Sequence, residues 1–197
     1  MPNPNTFVLS DEEKNAANIR ECSKTIIFAG RIYDPGKNLI DFVRVWEILS
    51  GRHQDWRAII VGDDSKCTLQ KEYIRSNHIE RISFYGMTPD MRSIFLKADI
   101  QCITSHSEGW PLVLTEGMSC GVVPVVFDTF ATASKIIVDG QSGYLVEKYN
   151  IQAMADKVSE LIDSTELLCK MRSSAMERIA EFSAQAIARR WEQIFTR

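Results

Sequence analysis

Histidine is scarce in this chain, with three in 197 residues, and His53, His78 and His106 stand far apart. Cysteine is no better placed: Cys22, Cys67, Cys102, Cys120 and Cys169 are odd in number and show no C-x-x-C spacing. Neither set makes a zinc motif, and the cysteines suit reduced thiols in a cytosolic protein rather than a disulfide framework. No apolar run approaches the roughly 18 residues of a membrane span. No signal peptide is expected either, since Met1–Asn5 is polar and turn-like. The expected location is cytoplasmic. The chain also lacks a basic surplus: 23 Lys and Arg stand against 26 Asp and Glu, a net charge of −3. That balance argues against a nucleic-acid or anionic-membrane face, and the tryptophans do not interleave with a basic stripe on which single strands would stack. There is no G-x-G-x-x-G behind the first apolar run, no G-x-x-x-x-G-K-[ST] loop and no G-x-S-x-G elbow. Nicotinamide dehydrogenase, P-loop and nucleophile-elbow hydrolase readings thereby lose their main support.

What is present is a soluble globular composition, 45% hydrophobic and 25% charged, at a length that supports one sizeable core rather than two ordinary domains. Residues 1–22 read as a linker and a short polar helix that starts at Ser10-Asp11-Glu12-Glu13. Residues 23–197 read as one domain. Within it Lys24–Ala29, Arg57–Val61, Arg81–Tyr85, Asp99–Thr104, Val122–Phe127 and Gly143–Val146 read as strands. Most show little polar alternation, as expected of strands buried on both faces. Helical patterns lie between them, at Asn38–Leu49, Thr68–Asn77, Asp90–Lys97, Pro111–Cys120 and Ala131–Val138. The alternation predicts an α/β fold, a Rossmann-like doubly wound parallel sheet of about six strands. From Ile151 the pattern is purely helical, with breaks near Ser164 and Ser183, and Trp191, Ile194 and Phe195 would anchor the last helix on another surface.

Ligands of such sheets bind at the carboxyl ends of the strands, which directs attention to Gly30-Arg31, Gly62-Asp63-Asp64, Gly86-Met87, Ser105–Gly109, Asp128-Thr129 and Glu147-Lys148. The most informative of these runs on as Ser107-Glu108-Gly109-Trp110-Pro111-Leu112 through Glu116 to Gly121. Gly109 lets backbone approach a ligand, Pro111 suits the first helical position, and the free N–H groups of a helix start attract phosphate and sugar oxygens. Glu108 just before the helix and Glu116 about a turn and a half inside it would both reach one ligand, each able to accept two hydroxyl hydrogen bonds. A buried helix with two incidental glutamates is an equal reading of this run alone. Arg31 and Lys37, flanking Ile32–Gly36, would suit a diphosphate, with the guanidinium as a fork and the ammonium as a point charge. Two solvated surface cations are the plainer alternative. Asp63-Asp64 invites a metal reading, but no third oxygen ligand stands out, and a loop and helix cap is preferred. No metal site is expected.

Phe28-Ala29-Gly30-Arg31 with Lys37-Asn38, Ile60-Val61-Gly62-Asp63, Phe84-Tyr85-Gly86, Ser105–Pro111 with Glu116–Gly121, Pro124-Val125-Val126, Ile136–Gly140 and Gly143–Val146 follow one another at ordinary separations. In that order they resemble the C-terminal, donor-binding domain of GT-B retaining glycosyltransferases, close to glycosyltransferase family 4, the group 1 type, from about Ile26 to Phe195. The resemblance implies that Arg31 and Lys37 hold the donor diphosphate and stabilise the leaving group. It implies that Glu108 touches hydroxyls of the transferred sugar, in a cradle completed by the run Gly109, Trp110, Pro111, Leu112 through the backbone N–H groups it offers, and that Glu116 accepts from the ribose. Gly30 and Gly62 would line the donor site, and Gly86-Met87 would lie along the base. The catalytic set implied is Glu108, Arg31 and Lys37, with no cofactor and a nucleotide-diphosphate sugar, expected to be a UDP-sugar, as donor.

Two departures stand out. Thr132-Ala133-Ser134-Lys135 replaces a segment that usually carries Gly and Glu, and its extra cation would face either the donor or solvent. Pro111 stands where many members have glycine, as in a subset resembling hexosyltransferases of surface polysaccharides. Pro2-Asn3-Pro4-Asn5 resembles the linker between the two GT-B domains, so the acceptor-holding N-terminal domain is expected to be missing and the chain alone to transfer little. The function expected is transfer of a hexose, with retention, to a glycan or lipid-linked acceptor in bacterial surface polysaccharide assembly, the full-length enzyme lying in the cytoplasm or peripherally at the inner face of the membrane. A GT-B sugar-nucleotide epimerase and a non-catalytic nucleotide-sugar-binding module are the rivals.

Overall fold

The structure is a computed structural model that describes residues 2–7 and 9–195. Met1, Val8, Thr196 and Arg197 lie outside the described residues, and with them the first residue of the polar opening and the last two of the expected domain. Six parallel strands form one sheet: β1 (Thr25–Ala29), β2 (Arg57–Val61), β3 (Ile82–Gly86), β4 (Ile100–Ile103), β5 (Val123–Phe127) and β6 (Tyr144–Val146), in the order β3-β2-β1-β4-β5-β6. Parallel neighbours need long crossovers. These carry α2 (Leu39–Arg52), α3 (Thr68–Ser76), α4 (Met91–Phe95), α5 (Leu112–Ser119) and α6 (Ala133–Ile136), with α1 (Asp11–Ile19) ahead of the sheet. After β6 come α7 (Ile151–Asp163), α8 (Thr165–Ala180) and α9 (Ala184–Phe195). Their breaks fall where Ser164 caps Leu167 N–H at 3.2 Å and Ser183 accepts from Ala186 N–H at 3.3 Å.

The doubly wound prediction holds, with particular differences. Strands β1, β4 and β5 are buried along their whole length. The predicted third strand instead alternates, with Tyr85 exposed, because β3 is an edge strand. Pro111 is not the first helical residue. It is extended (φ −74°, ψ 97°) and its carbonyl accepts from Leu114 N–H at 3.0 Å, which makes it the N-cap and Leu112 the first residue of α5. The expected helices at Asp90–Lys97 and Ala131–Val138 shorten to α4 and α6. The cap expected from Asp63-Asp64 is not made either: the N-cap of α3 is Cys67, without a side-chain bond.

Helices α2 and α7 cover one face of the sheet, packing Phe42, Trp46, Met154 and Val158 against Ile26, Phe28 and Ile100. Helices α5 and α8 cover the other with Leu114, Met118, Ala175 and Ile179 against Ile103 and Val126. Each such large side chain contributes about 1.5–3 kcal/mol by leaving water. The N-terminal segment lies on this second layer. Ser10 and Glu13 form a capping box on α1, and buried Asn5 donates its N–H to the Phe182 carbonyl at 2.8 Å. The apolar face of α9 stays open: Trp191, Ile194 and Phe195 are exposed. No described helix is long and apolar enough to cross a membrane.

Candidate functional site

Strand order departs from β1 in both directions, so the crevice between the carboxyl ends of β1 and β4 is the topological switch point. Backbone conformation opens it. Gly62, just past β2, has φ +150°, and a Cβ there would stand 2.2 Å from the Gly30 carbonyl oxygen. Only glycine lets the two loops approach this closely. A register shift between Ile60 and Val61 then lets Gly62 N–H reach the Gly86 carbonyl at 3.0 Å. The result is a cleft of about 440 Å³ whose walls include Gly30, Arg31, Gly62, Met87 and Glu116. Tyr33, Asp63, Thr88, Met91 and Val113 also line it. Of these, Asp63 was singled out in the sequence, as a metal candidate or a loop and helix cap, whereas Tyr33, Thr88, Met91 and Val113 were not.

The charged groups differ in setting. Lys37 ends a 3-10 turn, Pro35–Lys37, whose start is capped by Asp34 accepting from Gly36 N–H at 2.8 Å. Its ammonium meets the Glu108 carboxylate at 2.5 Å, with both side chains largely buried. Ser105 donates its hydroxyl to the same carboxylate at 2.8 Å. The loop carrying Glu108 is pinned by His106 N–H to the Gly36 carbonyl (2.8 Å) and by Thr129 hydroxyl to the Ser105 carbonyl (2.5 Å). Arg31 is mostly solvent-exposed and leans on Asp34 at 3.7 Å, free to swing to a ligand. Glu116, on the first turns of α5, accepts from the Thr6 hydroxyl at 2.5 Å. That contact spans more than half the chain and had no signal in the sequence. The amide end of α5 has no side-chain cap, so its first N–H groups are available to an anion or hydroxyl.

Other expected residues sit differently. Gly109 and Trp110 line a second cavity instead of the cleft, and the Trp110 ring packs on Phe182 at 5.2 Å between centroids. Pro111 is buried while Leu112 is exposed, and neither lines the cleft. Asp63 accepts from Ser65 N–H at 3.0 Å, and the Ser65 hydroxyl and amide hold its carboxyl below the usual range. Asp64 pairs with Lys71 at 2.5 Å. Among the described residues no group of three or more His, Cys, Asp or Glu is placed to hold a metal ion.

A family model described as glycosyl transferases group 1 matches residues 10–178. An uncharacterized glycosyltransferase of Haemophilus influenzae is 26% identical over 195 residues, 98% of this chain and 54% of that protein. The poly(ribitol-phosphate) alpha-N-acetylglucosaminyltransferase of Staphylococcus aureus is 28% identical over 97% of this chain and 39% of its own length. The chain thus spans about half or less of these relatives. Among solved structures, S. aureus TarM in complex with UDP, fondaparinux and alpha-GlcNAc-glycerol superposes with a TM-score of 0.81 at 25% identity, covering 91% of this chain and 37% of that one. The C-terminal domain of the Francisella tularensis group 1 glycosyl transferase LpcC superposes at 0.74, covering 93% of this chain and 96% of that domain, and at 24% identity it speaks to fold alone. With its six-stranded parallel sheet of the kind found in GT-B C-terminal domains, this chain belongs to the glycosyl transferases group 1 family.

Proposed function

We propose that this chain is the donor-binding domain of a retaining hexosyltransferase that takes its sugar from a nucleotide diphosphate, best a UDP-sugar, and serves the assembly of a bacterial surface polysaccharide. The observation that carries the reading is the meeting of two stretches of chain at the carboxyl edge of the sheet: Arg31, from the loop after β1, and Glu116, from α5, line one cleft, and Lys37 and Glu108 from the same two connections pair with each other. Poly(ribitol-phosphate) glycosyltransferase activity in one relative and UDP bound to TarM support it. Before the donor arrives, Lys37 and Glu108 satisfy each other in a site already poor in water. A bound donor replaces that pair with two better matched ones: the ammonium turns to a phosphate oxygen, and the carboxylate accepts from a sugar hydroxyl. Arg31 adds a second cation to the diphosphate, so negative charge that grows on the leaving group as the glycosidic bond breaks is already met. Glu116 grips the ribose, and Gly86-Met87 flank the base. No metal or other cofactor enters this scheme. The acceptor, a glycan or lipid-linked chain, is held by a second domain, and without it this chain binds donor and transfers little.

A thermal-shift panel of UDP-, GDP-, ADP- and dTDP-sugars tests the reading. A ligand at a hundredfold excess over its Kd stabilises the fold by about 2.7 kcal/mol. The UDP-sugar is expected to shift the melting temperature most, with Arg31→Ala and Glu116→Ala losing the shift. If no nucleotide stabilises the chain, or both variants respond like the unaltered protein, the assignment is wrong.

A further inference from the structure

The loop leaving β4 also borders a second cavity, about 790 Å³ in volume, lined by Gly109, Trp110, Thr132, Lys135, Arg178 and Arg190 among others. Three cations and one carboxylate stand in its lining. The indole N–H of Trp110 and the hydroxyl of Thr132 are buried and have no partner. Lys135, on α6, makes no side-chain bond or ion pair among the described residues. Arg190, on α9, faces the Phe182 ring at 5.8 Å and has no carboxylate partner among them. Arg178 is already committed: it donates to the carbonyls of Ile136 (3.0 Å) and Lys135 (2.5 Å) and pairs with Glu181 at 2.7 Å. That pair neutralises the one carboxylate in the lining, so the charges left unmatched are the two cations Lys135 and Arg190.

We propose that this cavity is a second anion site that takes a phosphate ester, separate from the nucleotide cleft. An ammonium and a guanidinium fork offer donors in several directions, which suits the free oxygens and the double negative charge of a tetrahedral phosphate. A planar carboxylate would leave part of that set unmet. The volume leaves room for the organic portion of the ester. Position gives the site a role: Gly109 and Trp110 belong both to this lining and to the loop that carries Glu108. A phosphate held here lies beside the loop that carries Glu108, where the phosphate of an acceptor would be presented to the sugar. This role rests on the proposed function; the binding itself does not.

Calorimetric titration with glycerol 3-phosphate, with glycerate as the carboxylate counterpart, tests the site. It is run on the unaltered chain and on an Arg31→Ala background, so that phosphate binding in the first cleft does not contribute. The expected result is saturable binding of glycerol 3-phosphate in both, weaker binding of glycerate, and a loss of about tenfold or more in affinity on Lys135→Ala or Arg190→Gln. Lys135→Arg should keep it, and the response to UDP should stay within about twofold in all three variants. Absence of saturable glycerol 3-phosphate binding overturns the proposal, as does binding indifferent to Lys135 and Arg190 or equal for glycerate. Loss of the UDP response alone would strike the proposed function and leave this site standing.

Discussion

Asp99, the residue before β4, is wholly buried and surrounded by donors. Arg172 of α8, itself buried, donates to it at 2.8 Å, the Ser23 hydroxyl at 2.7 Å and Thr25 N–H at 3.3 Å, while Arg20 stands at 3.9 Å. Arg172 also donates to the Arg20 carbonyl at 3.0 Å, so one carboxylate ties the end of the N-terminal segment, the sheet and the C-terminal helices together. The substitution Asp99→Asn preserves shape but strands the Arg172 charge away from water. Breaking one side of a buried pair costs about 3–5 kcal/mol. For a chain of this length each kcal/mol moves the midpoint by about 2–4 °C, so a fall of roughly 6–20 °C is expected. Calorimetry or urea unfolding reads it. Arg172→Met in the Asp99→Asn background removes the stranded charge, and the double variant should lose less than the two single losses added together. A single-variant loss below about 1 kcal/mol, or additivity within about 0.5 kcal/mol, would refute the reasoning.

Gly62→Ala should cost stability and nucleotide response together, because its Cβ would press on the Gly30 carbonyl at 2.2 Å with φ at +150°; strain of this kind runs to about 1–3 kcal/mol. Urea unfolding beside a UDP titration checks this, and an unchanged UDP affinity would speak against the cleft. Burial pushes the thiols of Cys102 and Cys120 up to about 12 and, with Asp99 nearby, that of Cys22 to about 11. Thiolate is the reactive form, and its fraction rises with pH towards the pKa. At pH 8 a disulfide reagent should therefore leave Cys102 and Cys120 unlabelled in the folded protein and reach all five cysteines in denaturant. Ready labelling of Cys102 in the folded state would contradict its placement in β4.

The sequence by itself determined the elements. Runs such as TIIFA and VPVVF are too apolar for anything but buried strands, and Ser10, Ser164 and Ser183 announced helix starts through their own hydroxyls. Those signals are local: periodicity and capping act over a few residues, and so they can be read without the fold. Glycines after the strands likewise marked the binding edge, because a positive φ is a local demand. Tertiary structure alone decided which groups meet. Lys37 and Glu108 are 71 residues apart, and Thr6 and Glu116 are 110 apart; the adjacency of β1 and β4 brings the first pair together, and the packing of the N-terminal segment on the helical layer brings the second. It also turned Trp110 away from the cleft onto Phe182, gave Pro111 the cap instead of the first turn, and assembled Lys135 and Arg190 into a cavity. Packing between layers sets these outcomes, and no stretch of chain carries the shape of the surface it will meet.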